Sequence, residues 1–391
     1  MKTMHSRESE KTPGLANPFI VGNPVPPTHF IGREHEVTTI KQNLRGPGKG
    51  SSAISGGRRI GKTSLLHYLK SLEATQDWKA LETEHVFIYL DCLSISPFTA
   101  ARFWQKVLHL IEPFANAKVK RQVKTLGTKT RIPNVDIEQL FDELADAGKL
   151  VALLLDEFES AISDTRSDSA DFLNLLRSLI NRPLRGLALI IAGRDPLHVL
   201  CRDIFAPGSP FYNSFVFVPL GLFSRAEANE LIDRALEDTG IVFDEDDREF
   251  VFKISRGHPY WLQLACSHLF DAYRSREYKD HHFDESIDRQ QAKQYVEDKF
   301  RIQARPHFEE LWKTCTQEEK RALVAVARRS QEQGLVRRIV AAIRYRKLTR
   351  EFNVDLDSLI NRSIVVKTDS GDFDVFSPIF ARWILSEGRK L

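Results

Sequence analysis

Gly56, Gly61, Lys62 and Thr63 stand in the spacing G-x-x-x-x-G-K-T inside the stretch Ser51 to Leu69, the spacing of a phosphate-binding loop. Glycine lets the chain curl until successive amide N–H groups point at one set of phosphate oxygens, an approach that a side chain would block. Gly57, Arg58, Arg59 and Ile60 fill the loop. Lys62 would reach the outer phosphates as a mobile charge and Thr63 would put its hydroxyl on Mg²⁺, while the helix that continues through Ser64 turns its positive end toward the anion. A chance glycine-rich turn would need no particular flanks. Here Ala53 and Ile54 precede the loop as a short apolar strand, and Leu65, Leu66, Leu69 and Leu72 give the following helix one apolar face.

Such a loop serves kinases, GTPases and ATPases alike, so the chemistry must be read from a second group. Val151 to Glu157, VALLLDE, is an apolar strand ending in two acids. Asp156 at the sheet edge can hold Mg²⁺ opposite Thr63, and Glu157 can polarise a water for attack on a γ-phosphate. No N-K-x-D occurs in the chain, so guanine has no support and ATP/ADP is the expected nucleotide. Leu187 to Ala192 is another strand, ending in Gly193, Arg194 and Asp195. If it lies beside the Asp156 strand, Arg194 would sense the γ-phosphate; equally, Arg194 could cap its strand or pair with Asp195. His35-Glu36 lacks the second histidine of a zinc protease helix.

The elements that position these groups alternate in type. Strand-like runs at His85–Leu90, Leu150–Leu155, Leu187–Ala192 and Phe215–Val218 are separated by helical patterns at 98–111, 137–147 and 172–180, the β-α-β order of a parallel sheet covered on both faces. Residues 113–135 carry six Lys or Arg and no acid, which reads as an exposed loop or partly ordered insertion. From Ser224 the pattern turns helical, opened by the capping-box spacing of Ser224 and Glu227, with a further helix near Asp246, a break at Arg256–Pro259, and a charged stretch, Ser275–Asp288, expected to loop out. Residues 301–391 read as three helices and a hairpin, Ile364–Lys367 and Phe373–Phe376 about the turn Asp369-Ser370-Gly371, which is a winged-helix pattern.

The 391 residues suffice for several domains, and a net charge of +3 argues neither for nor against a polyanionic partner. Four scattered cysteines without metal-ligand spacing suit reduced cytosolic thiols. The polar first fifteen residues and the absence of a long apolar run give no signal peptide and no membrane span, so a cytoplasmic location without membrane contact is expected.

Taken together, F-I-G-R-E (Phe30–Glu34), G-G-R-R-I-G-K-T-S-L-L (Gly56–Leu66), L-L-L-D-E-F-E (Leu153–Glu159), Gly193-Arg194 and G-H-P-Y (Gly257–Tyr260) resemble the prokaryotic STAND and archaeal-type ATPases of the wider AAA+ group. The resemblance covers roughly residues 17–390. It implies an α/β fold: a P-loop NTPase core with a five-stranded parallel sheet, an α-helical lid, and a C-terminal winged-helix domain. The implied domains are a tail and nucleotide-flanking segment at 1–28, the core at 29–222, the lid at 223–300 and the winged helix at 301–391. It further implies that Ile31, Gly32 and Arg33 lie against adenine and ribose, and that Pro259 faces the base or sugar. Members act as switches, closed with ADP and opening or assembling with ATP, which implies a protein partner or self-association. The chain departs from large members in stopping at Leu391 without a repeat sensor, and no arginine finger is assignable. The competing function is a DNA-associated AAA+ ATPase of the initiator or transposition-regulator kind, binding through Arg337, Arg338, Arg344, Arg346, Lys347 and Arg350. Against it, the helix before the wing, about Asp355 to Asn361, opens with acids that would repel phosphates, which favours a protein-facing winged helix. A non-hydrolysing scaffold would have no need of Glu157.

Overall fold

A computed structural model describes residues 16–72, 84–162, 166–182, 186–202, 204, 210–277, 285–331, 356–367 and 373–388. Five strands, β1 (Ser51–Ser55), β2 (Glu84–Asp91), β3 (Lys149–Asp156), β4 (Leu187–Gly193) and β5 (Phe215–Pro219), form one parallel sheet in the order β2-β3-β4-β1-β5. Their near-continuous apolar runs are what a sheet covered on both faces requires. Ile54, Leu154 and Ile190 face one side and pack on α1 (Glu34–Arg45) and α2 (Lys62–Ser71). Leu153, Leu155, Leu189 and Ile191 face the other side, under α3 (Ala100–Ile111), α4 (Ala117–Gly127), α5 (Asn134–Asp146) and α6 (Arg166–Ile180).

The register sets the site. Ser55 lies level with Gly193 on one side and Pro219 on the other, and Asp91 lies level with Asp156. The phosphate loop, the acidic strand end and Arg194 therefore all emerge at the carboxyl edge of the sheet, from the adjacent strands β1, β3 and β4 around its centre, where open α/β sheets place their ligands.

The segment expected to be an exposed loop is corrected by the structure. A turn at Glu112–Phe114 leads into α4, whose Val119, Val123 and Leu126 are buried while its lysines face outward. Asn116 caps it, its side chain accepting from the Val119 amide at 2.9 Å.

Beyond the sheet come α7 (Arg225–Leu236), α8 (Glu245–Ser255), α9 (Pro259–Glu277), α10 (Glu285–Lys313), α11 (Gln317–Gln331), α12 (Leu356–Asn361), the hairpin β6 (Val365–Lys367) and β7 (Phe373–Val375), and α13 (Pro378–Ser386). The capping boxes of α7 and α8 both form. A division at residue 300 falls inside α10, and Phe300, Ala304 and Phe308 on that helix are all buried in one core that also takes Leu231, Phe270, Leu323 and Phe380. The lid and the C-terminal elements thus share a hydrophobic interior distinct from those flanking the sheet. The proposed wing turn at 369–371, the basic run at Arg337–Arg350, Asp355 and residues 278–284 of the expected loop at 275–288 lie outside the described residues; the two ends of that stretch are not loop but the last residues of α9 and the first of α10.

Candidate active site

The phosphate loop runs from β1 into α2 through three residues with positive φ, Gly56 at 156°, Arg59 at 61° and Gly61 at 104°. Lys62, buried at the start of α2, folds back so that its Nζ donates to the carbonyls of Gly56 at 2.8 Å and Gly57 at 3.0 Å. Burial pulls its ammonium below the ordinary lysine range, against the nearby charges of Glu157, Glu159 and Asp156.

Thr63 donates its hydroxyl to Asp156 Oδ2 at 2.7 Å. The phenol of Tyr89, at the end of β2, donates to the same oxygen at 3.1 Å, and the Glu157 amide donates to Oδ1 at 3.0 Å. These contacts fix the orientation of the carboxylate. A hydroxyl and a carboxylate oxygen in contact form a hard-oxygen pair of the kind Mg²⁺ takes. Among the described residues no group of three or more His, Cys, Asp or Glu could hold a metal on its own, so phosphate and water oxygens would have to complete the shell.

Glu157 sits in the left-handed region at φ 46° and opens a short turn, Phe158–Ala161. Its carboxylate lies 3.6 Å from Arg194 Nη2, and Glu159 lies 3.1 Å from Arg194 Nε. The strand end carrying Arg194 is thus beside the acidic strand end, and Arg194 is paired with these two glutamates.

A cavity of about 260 Å³ opens beside the loop, lined by Arg58 to Ser64, Glu157, Arg194, Ile31, Arg33 and Pro259, and closed on its apolar side by Ile20, Val25, Phe30 and Leu231. Gly32, Gly56, Gly57 and Asp156 do not line it. Asp156 stands behind Thr63, and Gly56 is packed where an added Cβ would meet the Leu220 carbonyl at 2.9 Å. Gly32 is likewise a backing residue, at φ 68°, with Glu227 Oε1 2.7 Å from where a Cβ would stand.

Residues 48–334, more than half of the chain, match the family model described as novel STAND NTPase 2. The chain belongs to the novel STAND NTPase 2 family. No curated protein matches the sequence. Among solved structures, the Walker-type ATPase of Pyrococcus abyssi superposes with a TM-score of 0.62 at 16% identity, covering 94% of this chain and 99% of that one. The ORC2 protein of Aeropyrum pernix in its ADPNP–ADP complexes gives 0.58 at 16% identity, covering 94% and 96%. Drosophila ORC bound to DNA gives 0.52 at 13% identity, covering 99% and 96%. At these identities the likeness is one of fold.

In this STAND NTPase, Arg33 is a strut more than an open ligand contact. Its guanidinium donates to the carbonyls of Gly221 at 2.6 Å and Ile60 at 3.3 Å and lies over Phe223 at 4.9 Å, while its amide donates to Glu227 Oε1 at 3.1 Å. It thereby ties the phosphate loop, the strand exit and the first lid helix. Ser64 is similarly occupied, its Oγ accepting from the Val25 amide at 3.1 Å. The stretch from Asn17 to Phe30 straps the NTPase together: Asn17 bonds Ser267 on α9, Phe19 stacks on Phe243, and Phe30 stacks on Tyr68 of α2 at 4.5 Å.

On the far side of the loop stand the C-terminal elements. Arg58 pairs with Glu310 of α10, and Arg59 lies over the Tyr260 ring at 4.2 Å. Gly57 abuts the α12 end so closely that an added Cβ would fall 2.6 Å from the Arg362 carbonyl. His258 is buried beside Trp261 and Phe376, and burial pushes its imidazole down to about 3. Tyr89, Glu159 and Arg362 were not singled out from sequence. The first two had a signal, a phenol near the end of an apolar run and an acid two places after Glu157; Arg362 had none.

Proposed function

We propose that this STAND NTPase binds and hydrolyses ATP with Mg²⁺ and uses the cycle to move its lid and C-terminal elements against the sheet domain. The observation that carries the reading is the contact of the Thr63 hydroxyl with Asp156, which joins the phosphate loop to the acidic strand end with Glu157 next in line. Loop amides would cradle the phosphates, and Lys62 would exchange the Gly56 and Gly57 carbonyls for the outer phosphate oxygens. Thr63 and Asp156 would hold Mg²⁺, which when bound neutralises phosphate charge. Glu157 would take a proton from the attacking water as its oxygen bonds the γ-phosphorus and the bond to the β,γ-bridging oxygen breaks. Arg194 would face the γ-phosphate, and Ile31 and Pro259 the adenosine.

The domains proposed are the flanking segment at 1–28, the core at 29–222, the lid at 223–300 and a winged helix over 301–391. Continuity of α10 and the shared interior support motion of the last two as one body. The nucleotide state would then govern a protein partner or self-association, in the cytoplasm. Among the described residues no helix is long and apolar enough to cross a membrane. DNA association through the winged helix stays the second reading, motivated by the basic run at Arg337–Arg350.

Phosphate release from ATP, and fluorescent ATP-analogue binding, test the proposal with and without Mg²⁺. Wild type should hydrolyse ATP slowly, and both EDTA and Lys62→Ala should abolish turnover. Wild-type turnover in Lys62→Ala would refute it.

A further inference from the structure

Glu159 lies outside the roles assigned so far, and its surroundings give it one. The turn Phe158–Ala161 is pinned by Phe158, fully buried and stacked on Phe211 at 6.5 Å. Two backbone bonds close it, Ser160 N–H to the Glu157 carbonyl at 2.9 Å and Ile162 N–H to the Glu159 carbonyl at 3.2 Å. Because Glu157 takes the left-handed conformation, its carboxylate and that of Glu159 converge on one guanidinium instead of pointing apart. Neither Glu159 oxygen has a well-formed hydrogen bond; Arg194 Nε stands 3.1 Å from Oε1 as its cationic partner. The residue before Arg194 is Gly193, where a Cβ would stand 3.3 Å from Glu159 Oε2. Burial and the neighbouring Glu157 charge raise the Glu159 carboxyl above the ordinary range, the kind of cost that functional clusters carry.

We infer that Glu159 is a positioning residue: it holds Arg194 by its Nε edge, so that the Nη edge rests against Glu157 and covers that carboxylate until a γ-phosphate draws the Nη edge away. The inference rests on the roles given to Glu157 and Arg194 above. A planar guanidinium can serve two anions on two edges at once, so Arg194 pivots about Glu159 when phosphate arrives, and Glu157 is freed to accept the water proton. Without the charge of Glu159, Arg194 settles on Glu157 with both edges and the base stays covered. Nucleotide binding, which belongs to the loop, is untouched.

The test compares full-length wild type, Glu159→Gln, Arg194→Ala and the double variant in ATP hydrolysis, with fluorescent ADP-analogue binding alongside. Glu159→Gln should lower kcat roughly 10-fold with KM and ADP-analogue affinity within about 2-fold, and the double variant should match Arg194→Ala. An unchanged kcat in Glu159→Gln, or a double variant slower than Arg194→Ala by the whole Glu159 factor, would overturn the inference while leaving the ATPase reading in place. Absence of ATP hydrolysis in the wild type would instead overturn that reading and the inference with it. Should Glu159→Gln fail to fold, Glu159→Asp keeps the charge on a shorter arm that no longer reaches Nε; a partial loss of kcat is expected, and a wild-type kcat would count against the hold.

Discussion

Replacing Gly57 by alanine isolates the contact between the phosphate loop and the C-terminal elements. Gly57 does not occupy the left-handed region, so alanine fits the loop's own backbone and keeps its amide. The added methyl would nevertheless fall 2.6 Å from the Arg362 carbonyl oxygen and 2.9 Å from both the Arg362 carbonyl carbon and Ser363 Oγ. Ordinary contact begins near 3.4 Å, so the overlap is about 0.8 Å against backbone atoms. Those atoms have little room to yield. Arg362 is held by Glu319 at 3.1 and 3.2 Å and by Thr314 at 2.8 Å, and the Ser363 amide is tied to the Ile360 carbonyl at 2.8 Å. The α12 end must therefore shift as a block, and overpacking of this kind costs about 2 kcal/mol, a factor of about 30 in an equilibrium. Urea unfolding followed by tryptophan fluorescence reads the change through Trp261, Trp312 and Trp383, which all lie in the shared interior. A loss of about 2 kcal/mol with ADP-analogue binding retained is expected. Stability within about 0.5 kcal/mol of wild type would mean that the C-terminal elements do not rest on the loop in solution.

Two further outcomes follow from burial. His258 is held neutral in the fold at about 3, against about 6.5 in the unfolded chain, so the unfolded state takes up the proton first and stability falls as pH drops from about 6.5 toward 3. The loss through this group should reach ~2 kcal/mol by pH 5, and pH-dependent urea melts of His258→Gln should lack that slope. Phe19→Ala removes the ring that ties the N-terminal strap to Phe243 and Phe270; a loss of roughly 3 kcal/mol is expected in urea unfolding, with weaker ADP-analogue binding because the strap lines the cavity.

What could be read in advance was whatever local patterning decides. The apolar runs predicted strands at β2 to β5, and the glycine-lysine spacing predicted the loop at Gly56–Thr63, because both depend on neighbours a few residues apart. Asp156 and Glu157 were legible for the same reason, as acids ending an apolar strand. The helix over Ala117–Gly127 was missed although Val119, Val123 and Leu126 hold helical spacing, because its charge outweighed a three-residue stripe. Continuity of α10 through residue 300 was hidden by composition that changes along one helix. Contacts set by tertiary packing left no local mark: Arg33 against Gly221 and Arg362 on Gly57 each join segments distant in the chain.

Glu157→Gln removes the carboxylate proposed to activate water beside the phosphate loop while leaving the loop itself intact. In single-turnover assays with Mg²⁺ and ATP, the variant should bind ATP as wild type does while its hydrolysis rate falls about 100-fold or more, leaving the protein in its ATP-bound form. Equal hydrolysis rates in Glu157→Gln and wild type would rule out Glu157 as the base.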